Sequence, residues 1–364
     1  MKKLAVTLTT INVPYVLDDL VKIIKSRNYT DLKIDIIVTG DKKTPKPIQK
    51  YIKSLKTKNK TKMLYFDIED QKKLFKKYTK LWNHIPFNSF ARRNFADLYA
   101  YEQKYDIITR IDDDNYPLDN YFFDYHSIVG SVQYSNVISS SNKWFNVCEV
   151  LEDENKLKFY PRGFPYKFRW KKNSVTHSLK NRKVDLLAGL WFGDPDIDAI
   201  TRINRPINAI KYKHKYGKIF FLNKNTNCPI NTQNTSYARD LVPMSFVSPY
   251  AGRYDDIFSN YFLRRIMDHL DKNVAFGYPI VLQKRNMHNL WNDLDKELIG
   301  NKTCEHVIDL LYKIKFKSNN VIGCGYELVK FLSKNIQMEK KYFKKILLGL
   351  KIWLDVINQI DRKI

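Results

Sequence analysis

Cysteine is scarce in this chain. Of 364 residues four are cysteine, Cys148, Cys228, Cys304 and Cys324. None stands in a CxxC pair, which argues against a disulfide scaffold and a zinc knuckle, so all four are expected to be reduced and structural. Long apolar runs are absent too. A stretch such as VDLLAGLWF from Val184 falls far short of the ~20 residues that cross a bilayer. The opening MKKLAVTLTTINVP has two lysines and a short apolar stretch. Asn12, Pro14, Asp18 and Asp19 interrupt it and no small-residue cleavage site follows, so it reads as a buried first strand rather than a secretion signal. A cytoplasmic location is expected. HExxH, GxSxG, GxxxxGK[ST] and GxGxxG are all missing, which argues against a zincin, an α/β-hydrolase, a P-loop NTPase and a dinucleotide binder. Acidic residues are in deficit: 38 Asp and Glu face 63 Lys and Arg, a net charge of +25. Such a chain should attract anions: nucleotides, nucleic acid, anionic lipid or phosphorylated substrates.

What is present reads as a folded α/β chain. Hydrophobic residues make up 44% and aromatics 14%, too many for a disordered one. Leu4 to Thr9 is a β-branched, apolar strand. Val16, Leu17, Leu20, Ile23 and Ile24 then recur at helical spacing, and KIDIIVTGD from Lys33 is a second strand. Strand, helix, strand opens a parallel sheet with right-handed crossovers. Ligands sit at the carboxyl ends of such strands, so the loops holding Thr9 and Asp41 are candidate ligand loops. Lys42 to Lys62 holds nine lysines and no acid, and reads as a solvated helix face. ARRNFADLYAYEQK from Ala91 and DDIFSNYFLRRIMDHL from Asp255 are helices. YDIITRIDDDNYP from Tyr105 is a strand that runs into an acidic cluster. The chain is mostly helical after Gly300.

That acidic cluster is the most informative segment. Asp112, Asp113 and Asp114 repel one another at the end of a buried strand, an arrangement that a divalent cation would make favourable. Mg²⁺ and Mn²⁺ take oxygen ligands, usually one or two carboxylates plus diphosphate oxygens. Asp112 and Asp114 share a side if the segment stays extended. This is the DxD pattern of GT-A nucleotide-sugar glycosyltransferases. Arg92 and Arg93 upstream, at a helix start, are candidates for the diphosphate, or else a surface pair. Arg162, beside Gly163 in an aromatic loop, and Arg169 are candidates for a sugar site, or else stack on Phe164 or Tyr166. Trp191, Asp194 and Asp196 combine apolar stacking with hydroxyl acceptors, as sugar recognition requires. In GRYDDIF, Asp255 and Asp256 are candidate bases or sugar-hydroxyl ligands, or else helix caps.

Five segments in order, RIDDD at Arg110, RGFPYKFR at Arg162, GLWFGDPDIDAITR at Gly189, GRYDDIF at Gly252 and YFKKILLGLKIW at Tyr342, resemble the reversibly glycosylated polypeptides, the UDP-arabinopyranose mutase family of plants. The resemblance implies a GT-A-like mixed sheet flanked by helices, with a helical C-terminal extension. It also implies a UDP-sugar substrate and a Mn²⁺ or Mg²⁺ ion at Asp112 and Asp114, with Asp113 between them. The self-glycosylated arginine of the family carries over to Arg162, and Arg253 belongs to the GRYDD motif. Where the family has a histidine, this chain has Gln283, with His288 nearby, and both are candidate metal ligands. Residues 1–300 are expected to form the catalytic domain, 1–130 its nucleotide half and 131–300 its sugar or acceptor half, with 301–364 the helical extension. The expected activity is pyranose/furanose mutase or self-glycosylation, with transfer to an external glycan acceptor as the alternative. A nucleic-acid-binding protein lacks any RRM, OB or helix-turn-helix signature, so no nucleic-acid partner is expected. The C-terminal stripe Phe343, Ile346, Leu347, Leu350, Trp353, Leu354, Ile357 and Ile360 is expected to pack on the catalytic domain or a second subunit, against the alternative of lying on an anionic membrane.

Overall fold

The computed structural model describes residues 1–27, 29–55, 61–287 and 289–362. His288 and three lysines of the Lys42–Lys62 run, Lys56, Lys58 and Lys60, lie outside them. The described strands are β1 (Lys2–Thr9), β2 (Leu32–Thr39), β3 (Met63–Phe66), β4 (Ile107–Ile111), β5 (Asn115–Pro117), β6 (Val132–Ser140), β7 (Leu151–Asp153), β8 (Val175–Lys183), β9 (Leu186–Gly193), β10 (Ala209–Tyr212), β11 (Ile219–Leu222), β12 (Asn234–Ala238) and β13 (Val274–Gln283). They form one sheet whose main path runs β3-β2-β1-β4-β12-β9-β13-β11-β6-β8.

The first four strands are parallel. The apolar runs of β1, β2 and β4 are buried on both faces, as helices on either side of a parallel sheet demand. β12 then pairs antiparallel with β4 and with β9, so the sheet is mixed. Helix α1 (Val16–Ser26) buries Val16, Leu17, Leu20, Val21, Ile23 and Ile24 in the crossover from β1 to β2. A second crossover passes through α2 (Pro47–Ser54) to β3. It continues through α3 (Ile68–Phe75), α4 (Thr79–His84) and α5 (Arg93–Glu102) to β4. A buried ion pair locks α5 beneath the sheet: Arg110 of β4 meets Asp97 at 2.7 Å, and Thr7 of β1 donates to the same carboxylate at 2.7 Å.

The short helices α6 (Phe122–Ser127), α7 (Tyr166–Arg169) and α8 (Ala199–Asn204) bridge the middle strands, and α9 (Asp255–His269) precedes the last one. Three longer helices follow: α10 (Leu290–Lys313), α11 (Val321–Asn335) and α12 (Lys340–Asp361). The α12 stripe is buried in full, with Trp353 completely enclosed and its ring 5.7 Å from Phe246. Of the three further apolar residues on this helix, Val356 is buried, Ile352 is half-buried and Leu348 is 50% exposed. The expected packing on the chain's own body is thus what holds α12. No helix among the described residues is long and apolar enough to cross a membrane. All four cysteines are buried and unpaired.

Candidate active site

The carboxyl ends of β1, β2 and β4 open into a cavity of about 820 Å³, closed on its far side by the 160–165 loop and the start of α9. Thr9 and Thr10 enter it from β1, Asp41 from β2, Asn88 to Ala91 from the segment before α5, and Asp112 to Asp114 from β4. Arg162, Asp196, Arg253, Asp255 and Asp256 line the other end. Segments distant in sequence converge here because the sheet brings strand ends together.

At the β1–β2–β4 end, Asp41 is fixed by backbone donors: Ser89 N–H at 3.0 Å and Lys42 N–H at 2.7 Å. The aspartate triplet does not stay extended. The Asn115 N–H donates to the Asp112 carbonyl at 3.2 Å, closing a turn, so the three carboxylates fan out instead of alternating. Asp112 is held by Arg93. Asp113 accepts from Thr10 Oγ1 at 2.5 Å. Asp114 accepts from Gln283 Nε2 at 2.9 Å and from the Asn286 N–H at 3.3 Å. Burial pushes the Asp112 carboxyl up to about 6, with Arg93 opposing and Asp114 adding to the rise. Burial and the charge of Asp113 raise Asp114 as well. These are hard oxygen donors under electrostatic stress, the chemistry that suits a divalent cation shared with diphosphate oxygens. They do not form an all-protein cage: among the described residues no three His, Cys, Asp or Glu side chains converge on one point.

The other end is built differently. The Arg162 guanidinium forks onto Asp196 with two 2.9 Å bonds, reaches Asp256 Oδ1 at 3.1 Å and donates to the Arg253 carbonyl. Asp256 also accepts from the Thr232 N–H at 3.0 Å. Burial alone would raise Asp196, but Arg162 holds its carboxyl well below the usual range, with Arg285 and Arg253 adding. Burial would lower Arg162, and Asp196 and Asp256 outweigh it, so its proton is held more tightly than usual. Asp255 rises to about 7 through burial and the charge of Asp256. The Arg162 loop can pack this closely on α9 because residue 163 is glycine. Its φ is +84°, and a Cβ there would stand 2.5 Å from Ile257 Cγ2.

Several candidates sit elsewhere. Arg93 does not line the cavity. It is buried behind Asp112, donating to the Thr232 and Ile111 carbonyls at 3.0 and 3.1 Å. Arg92 is buried over the rings of Phe87 (4.4 Å), Trp82 (4.7 Å) and Phe95 (5.1 Å), with no hydrogen-bond partner among the described residues. Burial pulls it down to about 10. Arg169 pairs with Asp198 and stacks on Tyr166 at 4.1 Å, outside the cavity lining. Trp191 is buried on β9, where a central strand covered on both faces must be apolar throughout. Asp194 is taken by Arg202 and Arg285. Gln283 is buried against Asp114, so it meets the triplet from behind. Thr232, Arg285 and Lys296 are among the lining residues that carried no motif. For Arg285 there was a signal, a basic pair directly after a strand end.

Sheet and cavity together define a mixed α/β protein with an acidic cavity at its strand ends. The chain belongs to the reversibly glycosylated polypeptide family, whose model matches residues 47–362. UDP-arabinopyranose mutase 2 of Arabidopsis thaliana is 25% identical over 210 residues, 56% of this chain and 55% of that protein. The chain thus spans about half the length of the curated relatives it matches. Among solved structures it is similar to S. aureus TarS 1-349 in complex with UDP-GlcNAc, at 10% identity and a TM-score of 0.41, over 100% of this chain and 92% of that one. It is also similar to glucosyl-3-phosphoglycerate synthase of Mycobacterium tuberculosis in complex with Mn²⁺, UDP and phosphoglyceric acid, at 11% identity and a TM-score of 0.40, over 87% and 80% of the two chains.

Proposed function

We propose that this protein is a metal-dependent UDP-sugar enzyme that interconverts the pyranose and furanose forms of the sugar, holding it transiently on Arg162. The observation that carries the reading is that Arg162, its two carboxylate partners and the Asp112–Asp114 triplet line one cavity. Among the described residues seven carboxylates face that cavity, Asp41, Asp112, Asp113, Asp114, Asp196, Asp255 and Asp256, against four cations, Arg162, Arg253, Arg285 and Lys296. A diphosphate entering a space so acidic needs added positive charge. Mn²⁺ or Mg²⁺ held by Asp112 and Asp114 would supply it, neutralising charge on the departing diphosphate.

The chain's own residues do the rest. Thr9, Thr10, Asp41 and Ser89, which line the cavity, would hold the nucleoside, and Arg285 would face the diphosphate. As the anomeric C–O bond to UDP breaks, an Arg162 nitrogen bonds to the anomeric carbon and a guanidinium proton passes to Asp256, 3.1 Å away. The bond from the anomeric carbon to the ring oxygen then breaks as a C=N bond forms to Arg162 and Asp256 returns its proton to the freed oxygen. A neighbouring sugar hydroxyl adds to the same carbon, giving its proton to Asp256, and the ring recloses in the other size. UDP then attacks the anomeric carbon, the C–N bond breaks, and the proton returns to Arg162. Asp196, kept ionised, fixes the guanidinium plane throughout. Arg253 borders the sugar end, and Asp255 is a proton store next to Asp256.

The second reading is transfer to an external glycan hydroxyl, with Asp255 as base. Its support is that Asp255 rises to about 7 and lines the cavity. Incubation with UDP-arabinopyranose and other UDP-sugars, with and without Mn²⁺, separates the two. Ring interconversion by chromatography and a covalent pentosyl mass on the peptide containing Arg162 support the mutase. A chain that neither labels itself nor changes ring form, but passes sugar to an added glycan, fits the transferase.

A further inference from the structure

We infer that Glu297 is a positioning residue: through Arg253 it couples helix α10 to Arg162 and so sets the geometry of the arginine end of the cavity. The inference rests on the reading of this cavity as a nucleotide-sugar site. Glu297 is fully buried and does not line the cavity. Its two oxygens divide their work. Oε1 accepts from Arg253 Nε at 2.7 Å, and Oε2 accepts from the Ala199 N–H at 2.8 Å. Ala199 lies three residues beyond Asp196, at the start of α8 to which that loop leads. One carboxylate therefore joins α10, the GRYDD turn and the segment that carries Asp196.

Arg253 passes the constraint on. Its carbonyl accepts from Arg162 Nη1, and its guanidinium stands 4.0 Å from Asp196 Oδ1. The same face of α10 grips the turn at neighbouring points. Asp293 lies 3.6 Å from Arg253 Nη1, and Tyr254 donates to Asn301 Oδ1 at 2.6 Å. Gly252, at φ +60°, lies so near α10 that a Cβ would stand 2.3 Å from the Lys296 carbonyl. Residues 293, 297, 300 and 301 share one helix face by their spacing of three to four. Glu297 bonds both the turn, through Arg253, and the start of α8, through Ala199. Arg162 can point its plane at a sugar only if Asp196, Asp256 and the Arg253 carbonyl stay in register, and Glu297 ties two of those three supports together.

Glu297→Gln keeps the shape but turns an N–H₂ toward Arg253 or Ala199, both of which donate. In ¹⁵N-arginine-labelled protein, the Nε–H groups of Arg253 and Arg162 should both exchange at least about tenfold faster than in the wild type. Turnover of UDP-arabinopyranose should fall about 100-fold in kcat, the scale of a misplaced catalytic group. Affinity for UDP with Mn²⁺ should stay within about twofold, since Glu297 touches nothing at the nucleotide end, and Glu297→Asp should recover part of the loss. An unchanged Arg162 Nε–H, with only the melting temperature lowered, overturns the inference. If Glu297→Gln does not fold, the same exchange measurement on Arg253→Lys, which removes the Nε–H bond to Glu297, decides it. The exchange readout needs no substrate. A wild type that ignores every UDP-sugar sinks the proposed function, while Arg162 exchange still decides the role of Glu297.

Discussion

Aspartates crowd both ends of the cavity, and the two ends treat them in opposite ways. Asp196 and Asp256 are matched on the spot by Arg162, which bonds both, and Asp196 is driven firmly to its ionised form. Among the described residues one arginine bonds the triplet, Arg93, which meets only Asp112 and from behind, while Arg285 acts on Asp114 without bonding it. Burial and mutual repulsion leave Asp112 and Asp114 harder to ionise than ordinary carboxyls. The matched end is preorganised without any ligand. On the proposed function, the other end is a set of donors whose charge a cation would balance, so binding energy would be gained there. This contrast predicts that damage at the triplet is a failure of binding and charge neutralisation, whereas damage at Arg162 is a failure of chemistry plus a loss of stability.

The largest effect is expected at the triplet. Asp114→Asn should lower UDP-sugar turnover about a thousandfold, and excess EDTA should do the same to the wild type. The melting temperature in the absence of metal should hold or rise, because a repelled carboxylate has been removed. Steady-state rates with Mn²⁺ and melting curves without it check both halves. Full activity in EDTA would dissolve the contrast between the two ends.

At the arginine end both quantities should fall. Arg162→Ala leaves Asp196 and Asp256 buried without their partner, a cost of about 3 kcal/mol or more. Arg162→Lys retains charge but not the planar fork, so covalent labelling and ring interconversion should still be lost, with a smaller drop in melting temperature. Labelling read by mass spectrometry, set against the melting curves, separates chemistry from folding. Labelling that persists in Arg162→Ala would move the acceptor to another residue.

A subtler asymmetry lies within the arginine end, where Asp255 stands beside Asp256 with its carboxyl near 7. Its folded value lies above the unfolded one, about 4 for aspartate. The folded state therefore binds the proton more tightly. That contribution to stability is whole at low pH and is lost as pH rises through about 7. Melting temperature should fall between pH 5 and pH 8 in the wild type and less so in Asp255→Asn. If Asp255 serves as a base, turnover should rise over the same interval and flatten in the variant. A pH–rate profile unaltered by Asp255→Asn would remove it from the proton chemistry.

How far the sequence disclosed all this depended on whether a feature was local. The β1–α1–β2 opening was legible because buried parallel strands and an amphipathic crossover each carry their own period. The α12 stripe was legible for the same reason, with all eight of its residues buried. The aspartate triplet announced itself as too acidic for a strand end, but its alternation did not survive, because a single backbone hydrogen bond from Asn115 turned the chain. Trp191 looked like a sugar platform only because its strand neighbours could not be seen. Arg285 and Thr232 meet the site through loops whose approach is fixed by sheet order, which no local pattern encodes. Glu297 was invisible for the same reason: its partners lie 44 and 98 residues away.

The smallest effect, and the sharpest test of what the nucleotide end contains, concerns Arg92. It looked like a diphosphate ligand beside Arg93, yet its guanidinium is enclosed by Phe87, Trp82 and Phe95 and does not line the cavity. Burying an arginine with no hydrogen-bond partner costs free energy that ring contacts only partly offset. Arg92→Met should fill the same channel between the rings without that cost. Its melting temperature should match or exceed the wild type, and its affinity for UDP with Mn²⁺ should stay within about twofold, the charge near Asp41 being all that changes. The same substitution at Arg93 should instead weaken UDP binding, because Asp112 would lose the one group that orients it. Calorimetric titration of both variants against UDP gives the comparison directly. A tenfold loss on Arg92→Met, about 1.4 kcal/mol, would mean that this end recruits its own arginine when the nucleotide binds. The cation would then be only part of what balances the triplet.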